Sequence, residues 1–466
     1  MNKDLADYAI NYLEEKGASY AEARLEIHEG NGFMLKNGNP EVSGFEKSQG
    51  LGIRFLANNT LGFISINQLS KQMVKEQIDD SFKFTNKAAK IGEKVNFSEE
   101  KAIVDSYEVK QKIALQDLNP DEKLSMLIDL DKKLEDLAGR YLSLNDTLST
   151  KYYINSEGTK INSIIPKVNL FYFLTINDGD KSIQRYQDFA ASAGYEFLKN
   201  IDYESKILEE VKQLKNNLSR GVKAPNEKLD VITSPEVTGI AVHESVGHPY
   251  EADRIFGREA AQAGESFINP SMINSRIGSE LVTVIDDPTI KNSYGFYLYD
   301  DEGVKARPRI LINKGLINEF LHDRETAHTM NLKSNGSSRA NNYDVEPLIR
   351  MSNTVMQPGD YSEEELFEDV KKGVYLKSFM EWNIDDKRFQ QKYVGNEAYL
   401  IKNGRIEEPV RNPALEITTS ALYSSVDALG KEIQLFAGNC GKGEPMQGMP
   451  VYMGGPAMRL RNLRIG

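Results

Sequence analysis

The segment from Ser234 to Pro249 constrains this chain more than any other, because it places two of the five histidines on one short helix. Ser234 is a good N-cap, and Pro235 suits the first helical position. Gly247 and Pro249 interrupt helical geometry, so the helix is expected to end near them. The segment therefore predicts a short helix with ionisable side chains close to its C-terminal end.

His243, Glu244 and His248 lie on that helix in the pattern His-Glu-x-x-x-His. On an ideal helix His243 and His248 are about 140° apart, whereas Glu244 and His248 are about 40° apart. The common zinc-peptidase pattern, His-Glu-x-x-His, spaces its histidines four residues apart and keeps them on one face. A metal shared by these two histidines therefore requires a distorted last turn. The alternative is two unrelated helix histidines, one buried and one at the helix end.

Cys440, the only cysteine of the chain, is the candidate third ligand. A thiolate binds zinc well, and two histidines with one cysteine leave a fourth position open for catalysis. Glycines at positions 438, 441 and 443 predict a loop around it, in which Lys442 can favour the thiolate. Glu251 and Asp253 are the competing ligands, and a small buried cysteine without a metal is the other alternative.

Several blocks of the C-terminal half resemble the TldD/PmbA family, and in particular its TldD-like members, which keep the metal site. The first and last blocks are the most specific, and they occur in the family order. The N-terminal half is similar only through pattern and length. The blocks are His243–His248, Asn292–Tyr297, Asp300–Gly303, Leu321–Arg324, Arg350–Thr354 and Gly438–Lys442.

The resemblance implies the roles of the site residues. In that family two histidines and a late cysteine bind zinc, and the glutamate is catalytic. Carried over, this implies one Zn²⁺ per chain, held by His243, His248 and Cys440. Glu244 would take a proton from the attacking water and pass it to the departing amine. The family has the same three-residue spacer between Glu244 and His248.

The resemblance also implies a zinc-dependent peptidase that hydrolyses unfolded proteins or peptides, and a dimer with itself or with a related family subunit. Two alternatives stay open. A deformylase-like metal amidohydrolase also suits two histidines, a cysteine and a glutamate. A non-catalytic partner subunit occurs in the half of the family that lacks the metal, although the intact site residues of this chain favour an enzyme.

Composition and the N-terminus predict a cytoplasmic protein. A lone cysteine allows no disulfide within the chain, which fits a reducing compartment. The first residues lack the basic-then-apolar pattern of a signal peptide. The most apolar stretch, Val168–Ile176, is too short to span a membrane. The net charge of −12 disfavours nucleic acid as a partner. The glycine patterns predict no organic cofactor.

The spacing of apolar residues predicts an α+β fold with two domains. Residues 1–222 are expected to form a mixed α/β domain, and residues 223–466 a β-rich domain that carries the short metal-binding helix. The polar, breaker-rich stretch 221–226 marks the boundary. The expected helices are residues 3–15, a helix beginning at Ser70, another beginning at Asn119, 202–218 and 418–429; the expected strands are 20–27, 50–55, 61–66, 149–154, 168–176, 229–232 and 306–313.

Overall fold

The protein is a mixed α+β fold in which strands predominate, as the sequence predicts. A computed structural model describes residues 2–259 and 264–466. The N-terminal elements are α1 (Asp4–Glu15), β1 (Tyr20–Lys36), β2 (Asn39–Ala57), β3 (Thr60–Ile66), α2 (Lys71–Ala88), β4 (Val104–Glu108), α3 (Pro120–Lys133), β5 (Gly139–Asn155), β6 (Lys160–Asp178), β7 (Lys181–Ala191), α4 (Glu196–Asn200) and α5 (Tyr203–Arg220).

Among the described residues, the C-terminal half has more strands than the N-terminal half, and both its strands and its helices are shorter. Its elements are β8 (Val222–Lys223), β9 (Glu227–Thr233), α6 (Pro235–Val242), α7 (Ala252–Ile255), β10 (Val284–Asp286), β11 (Arg309–Asn313), β12 (Leu316–Ile317), α8 (Arg324–Thr329), β13 (Ser338–Arg339), β14 (Leu348–Ile349), β15 (Asn353–Met356), α9 (Glu363–Glu368), β16 (Lys372–Leu376), β17 (Phe379–Ile384), β18 (Gln390–Gly395), β19 (Ala398–Lys402), β20 (Arg405–Arg411), β21 (Ala414–Thr418), α10 (Thr419–Ser424), β22 (Val426–Leu429), β23 (Gln434–Lys442), β24 (Gln447–Gly455) and β25 (Met458–Ile465).

One large sheet contains strands from both halves of the chain. Its order is β12-β11-β10-β15-β24-β23-β7-β6-β5-β1-β2-β3, and β4 pairs with β6 beside it. Within the described ranges, β23 and β7 pair only through Ala437 and Asp188, whereas β23 pairs with β24 along its whole length. The two halves of the sheet therefore diverge on either side of that pair and leave a cleft between β7 and β23.

The second sheet brings the metal-site helix to this cleft. Its order is β17-β18-β21-β25-β9-β16-β19-β20-β8, with β22 beside β25. Strand β9 runs directly into α6, which packs against β24, β15 and β23 of the large sheet. A Cβ at Gly239 would lie 3.0 Å from the backbone of Gly454. The glycine at 239 therefore allows the helix to approach the sheet closely.

The expected helix starts are confirmed, whereas the strands expected at residues 50–55, 149–154 and 168–176 are parts of the longer strands β2, β5 and β6. Ser70 caps α2 by accepting a hydrogen bond from Met73 N at 3.2 Å, and Asn119 caps α3. Asn58 and Asn59 have φ of 51° and 58° and form the turn between β2 and β3. Such positive φ values suit a two-residue hairpin turn, in which asparagine is favoured.

Three local predictions for the C-terminal half are wrong. The helix expected over residues 418–429 ends at Ser424, because the next residues form β22 and pair with β25. The loop expected around Cys440 is a regular strand, β23, which contains Gly438 and Gly441 and whose backbone pairs with the neighbouring strand β24. Only Gly443, with φ of 89°, occupies a turn. The expected strand 306–313 begins at Arg309, directly after Pro308, which has no N–H to donate to a ladder.

The proposed domain boundary between residues 222 and 223 stays a prediction. Among the described residues, no helix combines the length and the apolar composition that crossing a lipid bilayer requires.

Candidate metal centre

The helix that carries the two histidines widens at its C-terminal end. Ser234 caps α6 by accepting a hydrogen bond from Val237 N at 3.3 Å. After Val242 the chain forms a π-helical turn over residues 243–247, in which His248 N–H donates to the carbonyl of His243. Bonds from residue i to i+5 bring residues five apart onto one side of the helix. The wider turn supplies the distortion that the His-Glu-x-x-x-His spacing requires, and the two imidazole centroids lie 5.0 Å apart.

Contacts on both sides of the π turn hold it in place. The Ser245 hydroxyl donates to the carbonyl of Ala241 at 2.6 Å and lies 2.8 Å from the Tyr423 hydroxyl. Gly247 continues the turn with φ of −52° instead of ending it. A Cβ at Gly247 would lie 1.8 Å from the Met351 sulfur, so any larger residue there collides with this side chain. A larger residue at this position therefore requires the buried Met351 side chain to move.

Cys440 meets the histidines from strand β23. Its Sγ lies 3.4 Å from His248 Nε2, and ligand atoms of His243, His248 and Cys440 all lie within 4.8 Å of one another. In tetrahedral zinc sites the ligand atoms are roughly 3.3–3.7 Å apart. All three side chains are buried, and His243 Nδ1 has no hydrogen-bond partner in the described part of the chain. The donor set and this unpartnered nitrogen fit a zinc ion.

The ionisation of the three side chains also suits metal binding. Burial lowers the pKa of both histidines, so that neutral imidazoles with a free lone pair are favoured. Burial by itself would raise the pKa of the Cys440 thiol, but His248 and the Arg350 guanidinium lower it to about 7. Arg350 therefore favours the thiolate form of Cys440, which is the role that the sequence suggested for Lys442. Metal binding requires deprotonated ligands, so this environment favours it.

Glu251 and Asp253, which the sequence offers as alternative metal ligands, lie behind the three candidate ligands. His248 Nδ1 donates to Glu251 at 3.1 Å, which leaves Nε2 facing Cys440. Lys442 donates to Asp253 at 2.7 Å and lies 3.3 Å from Glu251. Burial would raise the pKa of Glu251, but Lys442, His248 and Arg254 hold it well below its usual range. A carboxylate behind a histidine fixes the ring orientation and tautomer of a ligand.

Glu244 faces a residue that sequence reasoning missed. Its carboxylate accepts a hydrogen bond from the Arg388 guanidinium, and both residues are buried. Arg388 lies between β17 and β18 with φ of 63°, in the left-handed region that non-glycine residues seldom adopt. Its Nε has no partner among the described residues. Nothing in the sequence near Arg388 points to a site, because the turn is brought to Glu244 only by the second sheet.

These side chains border a cavity of about 550 Å³ at the cleft between β7 and β23. Aromatic residues form one part of its wall, and polar groups of both strands form another. Among the polar groups, burial raises the pKa of Asp188 to about 6, and Asn169 donates to it at 2.8 Å. The wall contains Phe171, Tyr186, Phe379 and Trp382 in addition to His243, Glu244, His248, Arg388 and Cys440.

Comparisons with known proteins show the family of the chain. Family models match three parts of the chain: PmbA/TldA metallopeptidase domain 1 at residues 21–89, the central domain at 113–218 and the C-terminal domain at 226–466. A metalloprotease of Methanocaldococcus jannaschii, MJ0996, is 33% identical over 456 residues and covers 97% of both chains.

Two further proteins are similar over nearly the whole chain. A zinc metalloprotease TldD homolog of Saccharolobus solfataricus is 27% identical over 469 residues, or 98% of each chain. The crystal structure of TldE from Thermococcus kodakarensis has a TM-score of 0.77 at 18% identity and covers 99% of this chain and 100% of that one, a likeness of fold. The chain therefore belongs to the PmbA/TldD family of metallopeptidases.

Proposed function

We propose that this chain is a zinc-dependent peptidase that hydrolyses peptide bonds of unfolded proteins or peptides. The observation that carries the proposal is the convergence of His243, His248 and Cys440 beside Glu244, at the wall of one large cavity. Two imidazoles and one thiolate are a donor set for a catalytic zinc with an open position. The family supports the same reaction class.

Each residue has a separate task in this proposal. His243, His248 and Cys440 hold one zinc ion, and Glu251 orients His248 from behind. When bound, zinc supplies a Lewis acid that polarises the peptide carbonyl and lowers the pKa of water toward about 7. Glu244 accepts the proton of the attacking water and passes it to the amine that leaves.

Arg388 is the candidate for stabilising negative charge on the carbonyl oxygen. Arg388 borders the cavity and carries its positive charge beside Glu244. Donors already aimed at the developing oxyanion stabilise the transition state without reorganisation. The same side chain holds Glu244 in place.

An extended peptide fits the cleft between β7 and β23. Beyond the Ala437–Asp188 pair these two strands no longer pair with each other, so a peptide can add as a strand there. Aromatic side chains of the cavity wall then contact its side chains. A compact domain does not present such a strand, and we therefore propose unfolded substrates.

We also propose roles for the two domains, an oligomeric state, a compartment and the partners of the protein. The N-terminal domain, residues 1–222, supplies β5, β6 and β7 to the cleft, and residues 223–466 supply the metal ligands. The chain forms a dimer with itself or with a related family subunit, works in the cytoplasm, and has neither nucleic acid nor membrane as a partner.

The test is a cleavage assay with the zinc-loaded full chain. A reduced and alkylated protein and its native folded form are incubated separately, and mass spectrometry identifies the new termini. Internal cleavage of the unfolded form alone is expected. Equal rates on both forms contradict the choice of substrate, and release of formate from formylated peptides without internal cleavage indicates a deformylase instead.

A further inference from the structure

A second cavity lies on the same face of the large sheet as the metal centre. Its volume is about 460 Å³. Along β5 the residues at 141, 143 and 145 border the first cavity, and those at 147, 149 and 151 border the second. Alternate residues of a strand share one face of a sheet. The two cavities are therefore neighbours along one continuous surface.

The walls of the two cavities meet next to a metal ligand. Cys440 borders the first cavity, and its cross-strand partner Met449 borders the second. Residues directly opposite on antiparallel strands have Cβ atoms about 4.5–5.5 Å apart. On β6, Lys167 borders the second cavity and Asn169 the first. A peptide bound at the metal centre is thus within reach of the second cavity.

Two cations of the second cavity have no carboxylate partner among the described residues. In the part of the chain that the structure describes, Lys167 forms no ion pair, although it is partly buried. Arg339 is buried and donates to the carbonyls of Met351 at 2.6 Å and Pro450 at 3.0 Å, which are neutral acceptors. Charged side chains in such positions are normally paired.

The acidic groups of this cavity are already engaged. Asp301 pairs with Lys151 and accepts a hydrogen bond from Ala340 N at 2.7 Å. Asp300 accepts backbone hydrogen bonds from Glu302, Val304 and Ser338 at 2.9–3.0 Å. Among the described residues, the positive charge of Lys167 is therefore left for a group from outside the chain, whereas Arg339 contacts neutral carbonyls and the Tyr297 ring.

We propose that the second cavity is a subsite that binds a carboxylate of the peptide substrate, with Lys167 as the principal contact and Arg339 behind it. The inference rests on the proposed peptidase function, because the anionic groups of an unmodified peptide are carboxylates. They have two sources, the C-terminus and the side chains of aspartate or glutamate. The subsite makes the enzyme select substrates by the position of an acidic group relative to the scissile bond.

The environment of Lys167 agrees with a binding role. Burial, together with the charges of Arg339 and Lys151, lowers the pKa of Lys167 to about 7. An unpaired, desolvated ammonium destabilises the folded protein, and a bound carboxylate removes that penalty. Destabilising groups of this kind are characteristic of functional sites.

The experiment measures binding without turnover, in a Glu244→Gln background. The probes are fluorescent, unstructured ten-residue peptides of alanine and serine, in three forms: a free C-terminal carboxylate, a C-terminal amide, and the amide with one internal glutamate scanned along the chain. We expect the best acidic probe to bind about 10-fold more tightly than the neutral amide. Comparison of the first and third forms identifies which source of carboxylate is preferred.

Variants of Lys167 test whether the preference for acidic probes arises in the second cavity. Lys167→Met is expected to bring the ratio of acidic to neutral affinity close to one, and Lys167→Arg to retain most of it. Lys160→Met, on the same strand but exposed and paired with Asp7, is the matched control and keeps the full ratio. An unchanged ratio in Lys167→Met, or equal affinities in the parent, overturns the proposal.

The outcome separates this inference from the proposed function. Cleavage by the zinc-loaded parent without any preference for acidic probes refutes the subsite and leaves the peptidase intact. A preference that depends on Lys167, together with no cleavage of the unfolded protein by the zinc-loaded parent, retains the carboxylate-binding site and refutes the peptidase.

Discussion

The Arg388 guanidinium donates a hydrogen bond to the Glu244 carboxylate from a backbone with φ of 63°. A non-glycine residue in this region is strained, and the strain persists only where surrounding contacts maintain it. Here the ion pair joins the hairpin between β17 and β18 to the π turn of the metal centre. The arrangement fixes the carboxylate that is proposed to act as the base and keeps a cation at the reacting carbonyl.

Arg388→Asn is therefore expected to lower kcat by about 100-fold, the usual loss for one oxyanion donor, with little change in metal content. Asparagine tolerates the left-handed backbone, so folding is preserved. Steady-state kinetics on an unfolded substrate, with zinc content and Tm measured in parallel, check this. Arg405→Asn, an exposed residue of β20, is the control. Parent-like kcat in Arg388→Asn excludes Arg388 from the reaction.

Glu244→Gln is expected to retain zinc and to lose at least about 100-fold of the peptidase activity, because an amide cannot accept the proton. The substitution keeps the shape of the side chain and its acceptor for Arg388. Elemental analysis and the cleavage assay are made on the same preparation. Cleavage at the parent rate shows that another group is the base.

His243→Ala and His248→Ala are each expected to lose zinc, since the two remaining ligands do not hold a catalytic zinc tightly. The purified parent should contain about one zinc per chain. His328→Ala, an exposed histidine of α8, is the control and keeps the metal. If both site variants retain full zinc on elemental analysis, the ligand assignment is wrong.

Lys167→Met is expected to raise the Tm, by about 2–5 °C near pH 6, because it removes an unpaired charge. The folded pKa of Lys167 is about 7 against an ordinary value of 10.5. Between these values the unfolded chain binds more protons, so the parent gains stability as the pH rises. The difference between variant and parent should be largest below pH ~7 and shrink toward pH ~10.

Calorimetry across this range tests the prediction. The charges that act on Lys167 come from Arg339, Lys151, Asp301 and Glu26, and they are the same in both proteins. A difference in Tm that is constant with pH, or a lower Tm in the variant, shows that Lys167 has a stabilising partner.

The sequence predicts the start of the metal-site helix but only part of its end. Ser234 and Pro235 determine the start by local chemistry, and both occupy the expected positions. The spacing of His243 and His248 predicts a distortion, yet not its form, because the π turn also depends on Tyr423 and Met351 from distant parts of the chain.

The other features that the sequence did not predict have the same physical cause, which is their dependence on distant parts of the chain. The glycines around Cys440 have the composition of a loop, but pairing with β24 makes them a strand. Arg388 lies in an ordinary polar stretch of sequence, and Lys167 lies directly before the most apolar one. Arg388 matters because the fold places it beside Glu244, and Lys167 matters because the fold places no carboxylate beside it. The local periodicity of the sequence contains no information about such contacts.

The most direct test of the account is the metal environment of Cys440, because its thiolate is proposed to complete the site across 192 residues of chain from His248. The protein is loaded with Co²⁺ in place of zinc, and its near-ultraviolet spectrum is compared with that of Cys440→Ser. We expect an intense thiolate-to-cobalt charge-transfer band in the parent and its loss in the variant. A parent without this band, or a band that survives in Cys440→Ser, contradicts the proposed metal centre.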